Sequence, residues 1–346
     1  MTPAALGYRM PAEWEPHAAT WLCWPHNEAT WPGKLPAIPP IWVQMVKALA
    51  PGEEIRILVE DADASAQVRR LLAAADVTMS RVVLHEIPTN DSWMRDAGPT
   101  FVTRRGRNRI ETAIVDWGFN MWGGKYPPWD KDDQIPSRLA ALLGLPAFQP
   151  DMILEGGSIE VNGQGTLLTT ESCLLNPNRN PSLGREQIEQ RLRDYLGVRH
   201  ILWLAEGIIG DDTDGHIDDL TRFVDPTTVV TVVARDPTDP DHEVLQANYR
   251  RLQEMTDQAG RTLRIVPLPM PDPIFYSGQQ LPASYANFYI GNKVVLLPRF
   301  GQPTDATALK VLQSLFTDRR VVGIDAVDLV WGLGAFHCVT QQQPAG

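Results

Sequence analysis

The sequence predicts an α/β fold built from five repeats of strand, strand, helix and strand, and three observations predict it. Helical and strand-like periodicities alternate along the whole 346-residue chain. Five segments share one pattern: a polar or glycine-rich approach, a short apolar strand, a turn and a second apolar strand. They begin near Asp96, Glu155, His216, Ser284 and Cys338, at spacings of 59, 61, 68 and 54 residues. Each interval also holds a helical segment or room for one, as expected of units that bury their faces against one another around a common axis. This length allows one large domain or two medium ones, and the repeat argues for a single domain over residues 1–346.

Taken in order, residues 41–50 and 63–75 carry apolar side chains at helical spacing, and residues 182–196 add a serine cap ahead of charged residues with apolar ones between. Residues 241–259 and 304–316 read the same way. Short β-rich runs lie between them at 55–59, 82–85, 166–170, 229–234 and 294–297. Asn162-Gly163 and Gly291-Asn292 sit between apolar runs and predict hairpins. The 29 prolines are scattered, as in many short loops rather than one linker.

Forty-two acidic against 31 basic residues leave a net charge of −11. Such a surface repels phosphate backbones, so no nucleic-acid partner is expected. The negative potential either keeps the chain soluble or also attracts a cationic substrate. No apolar stretch approaches a membrane span, and the start lacks a basic segment followed by an apolar run, so no membrane partner and no leader are expected. The three cysteines, Cys23, Cys173 and Cys338, suggest no disulfide framework, and the expected location is a reducing cytoplasm.

Four constellations can carry chemistry. Cys338 follows Trp331-Gly-Leu-Gly-Ala-Phe-His337, and a thiol after a glycine-rich turn is open to close approach. Read alone, it is either a buried inert cysteine or a nucleophile. Cys23, in Trp-Leu-Cys-Trp-Pro, reads as core, and nothing decides Cys173. In Gly210-Asp-Asp-Thr-Asp-Gly-His216-Ile-Asp218-Asp219, His216 and Asp218 would project together from a strand, as a proton carrier beside a cation-binding carboxylate. A metal site or a structural histidine are the other readings. Asp211, Asp212 and Asp214 form an acidic turn that can face a cationic tail. In Asn90-Asp-Ser-Trp93-Met-Arg95-Asp96, Trp93 can stack on a planar cation and Asp96 can hold two guanidinium N–H groups, or Trp93 is core packing. Arg95 reads as structural. Glu155, ahead of Gly156-Gly157, is a carboxylate on a close-approach turn or a cap. Trp122 can line a pocket with Trp93.

Other signatures are missing. There is no CxxC or HExxH, so no metal is expected. There is no GxxxxGK[ST] or GxSxG, and Gly332-Leu-Gly334 lacks the third glycine of a dinucleotide loop, so no cofactor is expected.

Seven runs in order along the chain carry a resemblance. They are Met10-Pro-Ala-Glu-Trp-Glu-Pro-His17, Thr20-Trp-Leu-Cys-Trp-Pro25, Asn90-Asp-Ser-Trp-Met-Arg-Asp96, Leu154-Glu-Gly-Gly-Ser158, Leu174-Leu-Asn-Pro-Asn-Arg-Asn-Pro181, Thr213-Asp-Gly-His-Ile-Asp218 and His337-Cys-Val-Thr-Gln-Gln-Gln343. Together they resemble the agmatine deiminase and bacterial-type peptidyl-arginine deiminase family. The resemblance implies a pentein fold, a five-fold pseudosymmetric α/β propeller with its site on the axis. It implies Cys338 as nucleophile, His216 as general acid and base, and Asp96 and Asp218 on the guanidinium nitrogens. It further implies Glu155 on the substrate or on His216, and Trp93 in the pocket wall; Trp122 and the acidic-turn Asp214, read from their own segments, are the further candidate substrate contacts. The partner is then a small cationic guanidine, most simply agmatine, and self-association into a homo-oligomer is left open. Peptidyl or free arginine, transfer of the amidine to an amine, and guanidine binding without turnover are the alternatives. Two segments depart from the family pattern: Gly332-Leu333-Gly334-Ala335 stands where Gly-Gly-Gly-Asn is typical, and Trp122-Gly-Gly-Lys-Tyr-Pro-Pro runs on without an insertion. Both segments would shape the pocket around the substrate tail.

Overall fold

Central strands made of β-branched and aliphatic residues organise the molecule. The computed structural model describes residues 1–346. The first unit contains β1 (His17–Cys23), α1 (Pro39–Leu49), β2 (Glu54–Val59), α2 (Ala62–Ala74) and β3 (Val82–Glu86). The second holds a short turn α3 (Met94–Ala97), then β4 (Thr100–Arg105), β5 (Ile110–Val115), α4 (Met121–Gly124), α5 (Ile135–Leu143) and β6 (Ala147–Phe148). The third has β7 (Glu160–Val161), β8 (Thr166–Thr170), α6 (Glu171–Leu174), α7 (Arg185–Leu196) and β9 (His200–Leu204). The fourth has β10 (Thr221–Asp225), β11 (Thr228–Val233), α8 (His242–Glu254) and β12 (Arg264–Pro269). A small hairpin, β13 (Phe275–Tyr276) and β14 (Gln279–Gln280), precedes the fifth: β15 (Tyr289–Ile290), β16 (Val294–Arg299), α9 (Thr304–Leu315) and β17 (Arg320–Asp325). The chain ends with β18 (Gln341–Pro344).

In four units an antiparallel pair, β4–β5, β7–β8, β10–β11 or β15–β16, is followed by a parallel partner reached through a helix. The remaining unit borrows its first strand from the far end of the chain: β18 pairs antiparallel with β1, which pairs parallel with β2. The five expected lead-in segments each precede the first strand of a unit, so the strand, strand, helix, strand repeat is present in a mixed α/β fold. The hairpins expected at Asn162-Gly163 and Gly291-Asn292 join β7 to β8 and β15 to β16.

Local chemistry accounts for most boundaries. β11, Thr-Val-Val-Thr-Val-Val, is buried along its whole length, which suits a strand covered on both faces. Asp61 caps α2 by accepting from the Ala64 amide at 2.9 Å, and Gly144 and Gly197 close α5 and α7 in the left-handed conformation. Two expectations are corrected. The helix expected from Ser182 starts at Arg185, because Gln187 reaches back to the Gly184 amide at 2.9 Å and closes the first turn there. The helix expected to reach residue 259 ends at Glu254, because Asp257 instead accepts from the Ala259 and Arg261 amides in a turn of its own. No helix is long and apolar enough to cross a membrane.

Candidate active site

Three lead-in segments meet at a glycine, and a fourth, that of Cys338, reaches them through Asp218. A Cβ on Gly157 would lie 2.5 Å from His216 Nδ1, 2.8 Å from Asp96 Oδ1 and 3.1 Å from Asp218 Oδ2, so only glycine lets these groups approach so closely. Asp96 projects from α3; its Oδ2 accepts from Trp122 Nε1 and its Oδ1 from the Gly157 amide, both at 2.9 Å. His216 Nδ1 is 3.8 Å from Asp96 Oδ1. Cys338 Sγ is 3.7 Å from Asp218 Oδ2, and the Cys338 carbonyl accepts from the Arg95 amide at 3.1 Å, tying the two lead-ins together.

His216 and Asp218 do not project from a strand as expected. They flank and enter a tight turn, Ile217–Asp219, ahead of β10, and it is this turn that aims both inward. Glu155, His216 and Asp218 are fully buried, with Asp218 in contact with the cavity-lining Cys338. Asp96, Cys338, Trp93 and Trp122 line the cavity itself, which has a volume of about 840 Å³. Trp93 and Trp122 pack edge to face at 6.2 Å. Trp122 is held by backbone strain: Met121, Trp122, Gly123 and Gly124 all have positive φ, at 54°, 54°, 92° and 79°. A left-handed conformation costs a non-glycine residue roughly 1–2 kcal/mol, and here it aims the indole N–H at Asp96. Asp212, Tyr126 and Trp331 form part of the mouth.

Asp214 is not part of this cavity. Its carboxylate is committed to Lys125 Nζ at 2.9 Å, Asn178 Nδ2 at 2.9 Å and Arg179 Nη1 at 2.5 Å, which leaves neighbouring Asp212 as the acidic-turn residue facing the opening. Arg179 also donates through Nε to Glu155 Oε1 at 2.6 Å, so it braces the carboxylate from behind.

The electrostatics fit a cation. Burial pushes the Asp96 carboxyl up, and the neighbouring Asp218 and Glu155 push it further, against the lowering effect of His216. Burial lowers the His216 imidazole, yet Asp96, Cys173 and Asp218 outweigh it and leave its pKa well above the ordinary value. Burial, then Asp218, Asp219 and Asp96, push the Cys338 thiol well up. Burial raises Asp218, but its bond to His337 and that residue's charge outweigh this and hold its carboxyl below the ordinary value. Asp218 Oδ1 and Glu155 Oε2 are buried without hydrogen-bond partners, as are both His216 ring nitrogens. A buried polar atom left unpaired is costly, and a planar cation with several N–H donors would satisfy both carboxylate oxygens.

Sequence reasoning missed the roles of two groups here and left a third, Cys173, undecided. His337 bridges Asp218 Oδ2 and Glu13 Oε2, each at 2.7 Å. Asn287 donates to Cys338 Sγ at 3.0 Å. Cys173 lies behind His216: ligand atoms of Glu155, Cys173 and His216 fall within 4.8 Å of one another, a set of donor types that a transition metal could use. His337 adjoins Cys338 and Asn287 sits in the Ser284 lead-in, but neither pattern assigned a role; Glu13 comes from a distant segment. Cys23 packs in the core with its sulfur 3.6 Å from Met94 Sδ.

The profile of Porphyromonas-type peptidyl-arginine deiminases matches residues 9–344. An agmatine deiminase of Ectopseudomonas mendocina is 39% identical over 99% of this chain and 97% of its own. Among solved structures, an agmatine deiminase of Enterococcus faecalis superposes with a TM-score of 0.91 at 37% identity, over 99% of this chain and 97% of that one. A putative arginine deiminase of Porphyromonas gingivalis gives 0.88 at 39% identity, over 97% and 98%.

Proposed function

Because the chain belongs to the Porphyromonas-type peptidyl-arginine deiminase family, we propose that it hydrolyses the guanidinium group of agmatine, giving N-carbamoylputrescine and ammonia. The observation that carries the chemistry is the convergence of Asp96, His216 and Asp218 on Gly157, with the Cys338 sulfur exposed to the cavity beside them. Full-length relatives named agmatine deiminase carry the choice of substrate. The five sheets of three or four strands support a five-fold pseudosymmetric propeller forming one deiminase domain, since β18 joins the first unit. A free thiol nucleophile is suited to the cytoplasm.

In this reading Asp96 and Asp218 grip the guanidinium nitrogens by charge-assisted hydrogen bonds, and the cavity aromatics cover its faces. As the cation arrives, the Cys338 thiol releases its proton to solvent. The thiolate attacks the central carbon, forming the C–S bond while the C=N π electrons move to nitrogen. The His216 imidazolium protonates one amino group, the C–N bond breaks and ammonia departs, leaving an S-alkylthiouronium cation and neutral His216. His216 then takes a proton from water as the hydroxide adds to carbon. Collapse forms C=O, expels the thiolate and releases the hydroxyl proton, which ammonia takes up as ammonium. Glu155, held by Arg179, adds a carboxylate within 4.8 Å of His216 that favours its charged form.

The test is ammonia release from agmatine, free arginine and a peptidyl-arginine, with identification of the ureido product. Turnover of agmatine in clear preference supports the proposal. Preference for an arginine substrate, amidine transfer to an amine, or tight guanidine binding without ammonia overturns it.

A further inference from the structure

The fifth lead-in segment, Ser284 to Phe288, carries no acid, base or thiol, yet it reaches the reacting sulfur. Asn287 Nδ2 donates at 3.0 Å to Cys338 Sγ and at 3.0 Å to Asp219 Oδ1, using one hydrogen for each. Its Oδ1 accepts from the amides of His337 at 3.0 Å and Cys338 at 3.3 Å. Two backbone N–H groups on one side and a carboxylate on the other leave only one orientation for the amide, with nitrogen toward sulfur. The segment is itself clamped. Ser284 Oγ donates to the Asp219 carbonyl at 2.7 Å, and Arg222 Nη1 donates to the carbonyls of Ala286 at 3.2 Å and Phe288 at 2.7 Å. Asn287 is buried, so its donor is desolvated and needs no reorganisation when charge develops on sulfur.

We propose that Asn287 is a further catalytic residue, whose fixed Nδ2–H bond stabilises the Cys338 thiolate during attack and again when sulfur is expelled as the leaving group. The surroundings favour such a donor, since burial and then Asp218, Asp219 and Asp96 all oppose negative charge on that sulfur. The arriving guanidinium offsets Asp96 and Asp218; Asn287 offsets what remains, and Asp219 holds it by its second hydrogen. The proton balance is unchanged: the thiol proton still leaves to solvent, and Asn287 gives none up.

This rests on Cys338 as the nucleophile, and the experiment separates the two. The pH dependence of Cys338 alkylation by iodoacetamide is followed by mass spectrometry in wild type, Asn287→Ala and Asn287→Asp, with Cys338→Ala as the background, alongside kcat/KM for the proposed substrate. Asn287→Asp keeps the shape and the acceptor oxygen for the two amides, so its kcat/KM guards against collapse of the Ala variant; because a new carboxylate beside the sulfur pushes the thiol up by its charge, the limb of Asn287→Ala decides the donor's part. Loss of the donor is expected to move the alkylation limb to higher pH in both variants and to lower kcat/KM by about 10- to 100-fold. A merely structural role moves the limb the other way, because water entering a loosened loop relieves the burial that raises the thiol. An unchanged or lowered limb overturns the proposal, whereas activity retained in Cys338→Ala overturns the reading beneath it.

Discussion

His337 Nδ1 stands 2.7 Å from Asp218 Oδ2 while the other ring nitrogen stands 2.7 Å from Glu13 Oε2, with all three side chains buried. Each ring nitrogen can satisfy its carboxylate only by donating. Glu13 in turn meets Arg95 Nη2 at 3.2 Å, Arg222 Nη2 at 3.0 Å and the Ile290 amide at 2.7 Å. Burial raises Glu13, but Arg222, His337 and Arg95 outweigh it and hold its carboxyl well below the ordinary range. One oxygen of Asp218 is thereby anchored to a charge network, and the other is left without a partner.

Replacing His337 with glutamine should therefore act through Asp218. Its single amide nitrogen cannot span both partners, so at least one buried carboxylate is left short of a donor, and breaking such a network typically costs about 3–5 kcal/mol. The expected result is a rise in KM of roughly tenfold or more, from about 1.4 kcal/mol of lost positioning, together with reduced stability to denaturant. Steady-state kinetics and urea unfolding check both; an unchanged KM would remove His337 from substrate positioning.

Cys338→Ala should keep the fold and lose turnover by at least about 10³-fold, because removal of a nucleophile abolishes the covalent route. Circular dichroism and ammonia release on the same preparation decide this. Asp96→Asn can keep only one of the Trp122 and Gly157 contacts, because its amide nitrogen cannot accept, and it should weaken capture of the cation, read as a fall in kcat/KM.

Gly157→Ala should be far more damaging than an alanine in an open loop. Its methyl would meet His216 Nδ1 at 2.5 Å and Asp96 Oδ1 at 2.8 Å, so the acid–base group and the gripping carboxylate must separate. A loss of about 10²-fold in kcat/KM is expected, since small misplacements of reacting groups cost that much. Activity within a factor of two of wild type would show that the cluster yields easily.

Asp132 should make stability depend on pH. It is buried beneath the loop that carries Trp93 and Asp96 and accepts from the Asn90 amide at 2.6 Å. Burial pushes its carboxyl up to about 7, with Asp91 and Glu60 adding to the rise and the Asn90 amide opposing it. The folded chain keeps a proton that the unfolded chain releases above pH ~4. Its stabilising contribution is full below that pH and lost as the pH rises through about 7, on the order of 4 kcal/mol in all. Unfolding measured from pH 4 to 8 should show this fall, and Asp132→Asn should flatten it.

Much of the architecture was legible along the chain. Alternation of period, turn pairs at Asn162-Gly163 and Gly291-Asn292, and the recurrence of lead-in segments are local properties, and the units follow them. The short helix Ile135–Leu143 was missed, because its apolar residues span little more than two turns. The strand assumed for His216 to Asp218 is a turn, since the run before β10 pairs with no neighbouring strand.

By itself the sequence determined which residue types were on hand for chemistry, Cys338, His216, Glu155, Asp96 and Asp218, and the order in which the repeat presents them. Only the tertiary structure decided that Asp214 is committed to Lys125, Asn178 and Arg179, and that Glu13, Asn287 and His337 surround the acids and the thiol. The reason is physical. Periodicity reports backbone conformation over a few residues, whereas the protonation and aim of a buried group depend on charges and donors that arrive from segments hundreds of residues away. Glu13 and His337 are 324 positions apart and 2.7 Å from each other.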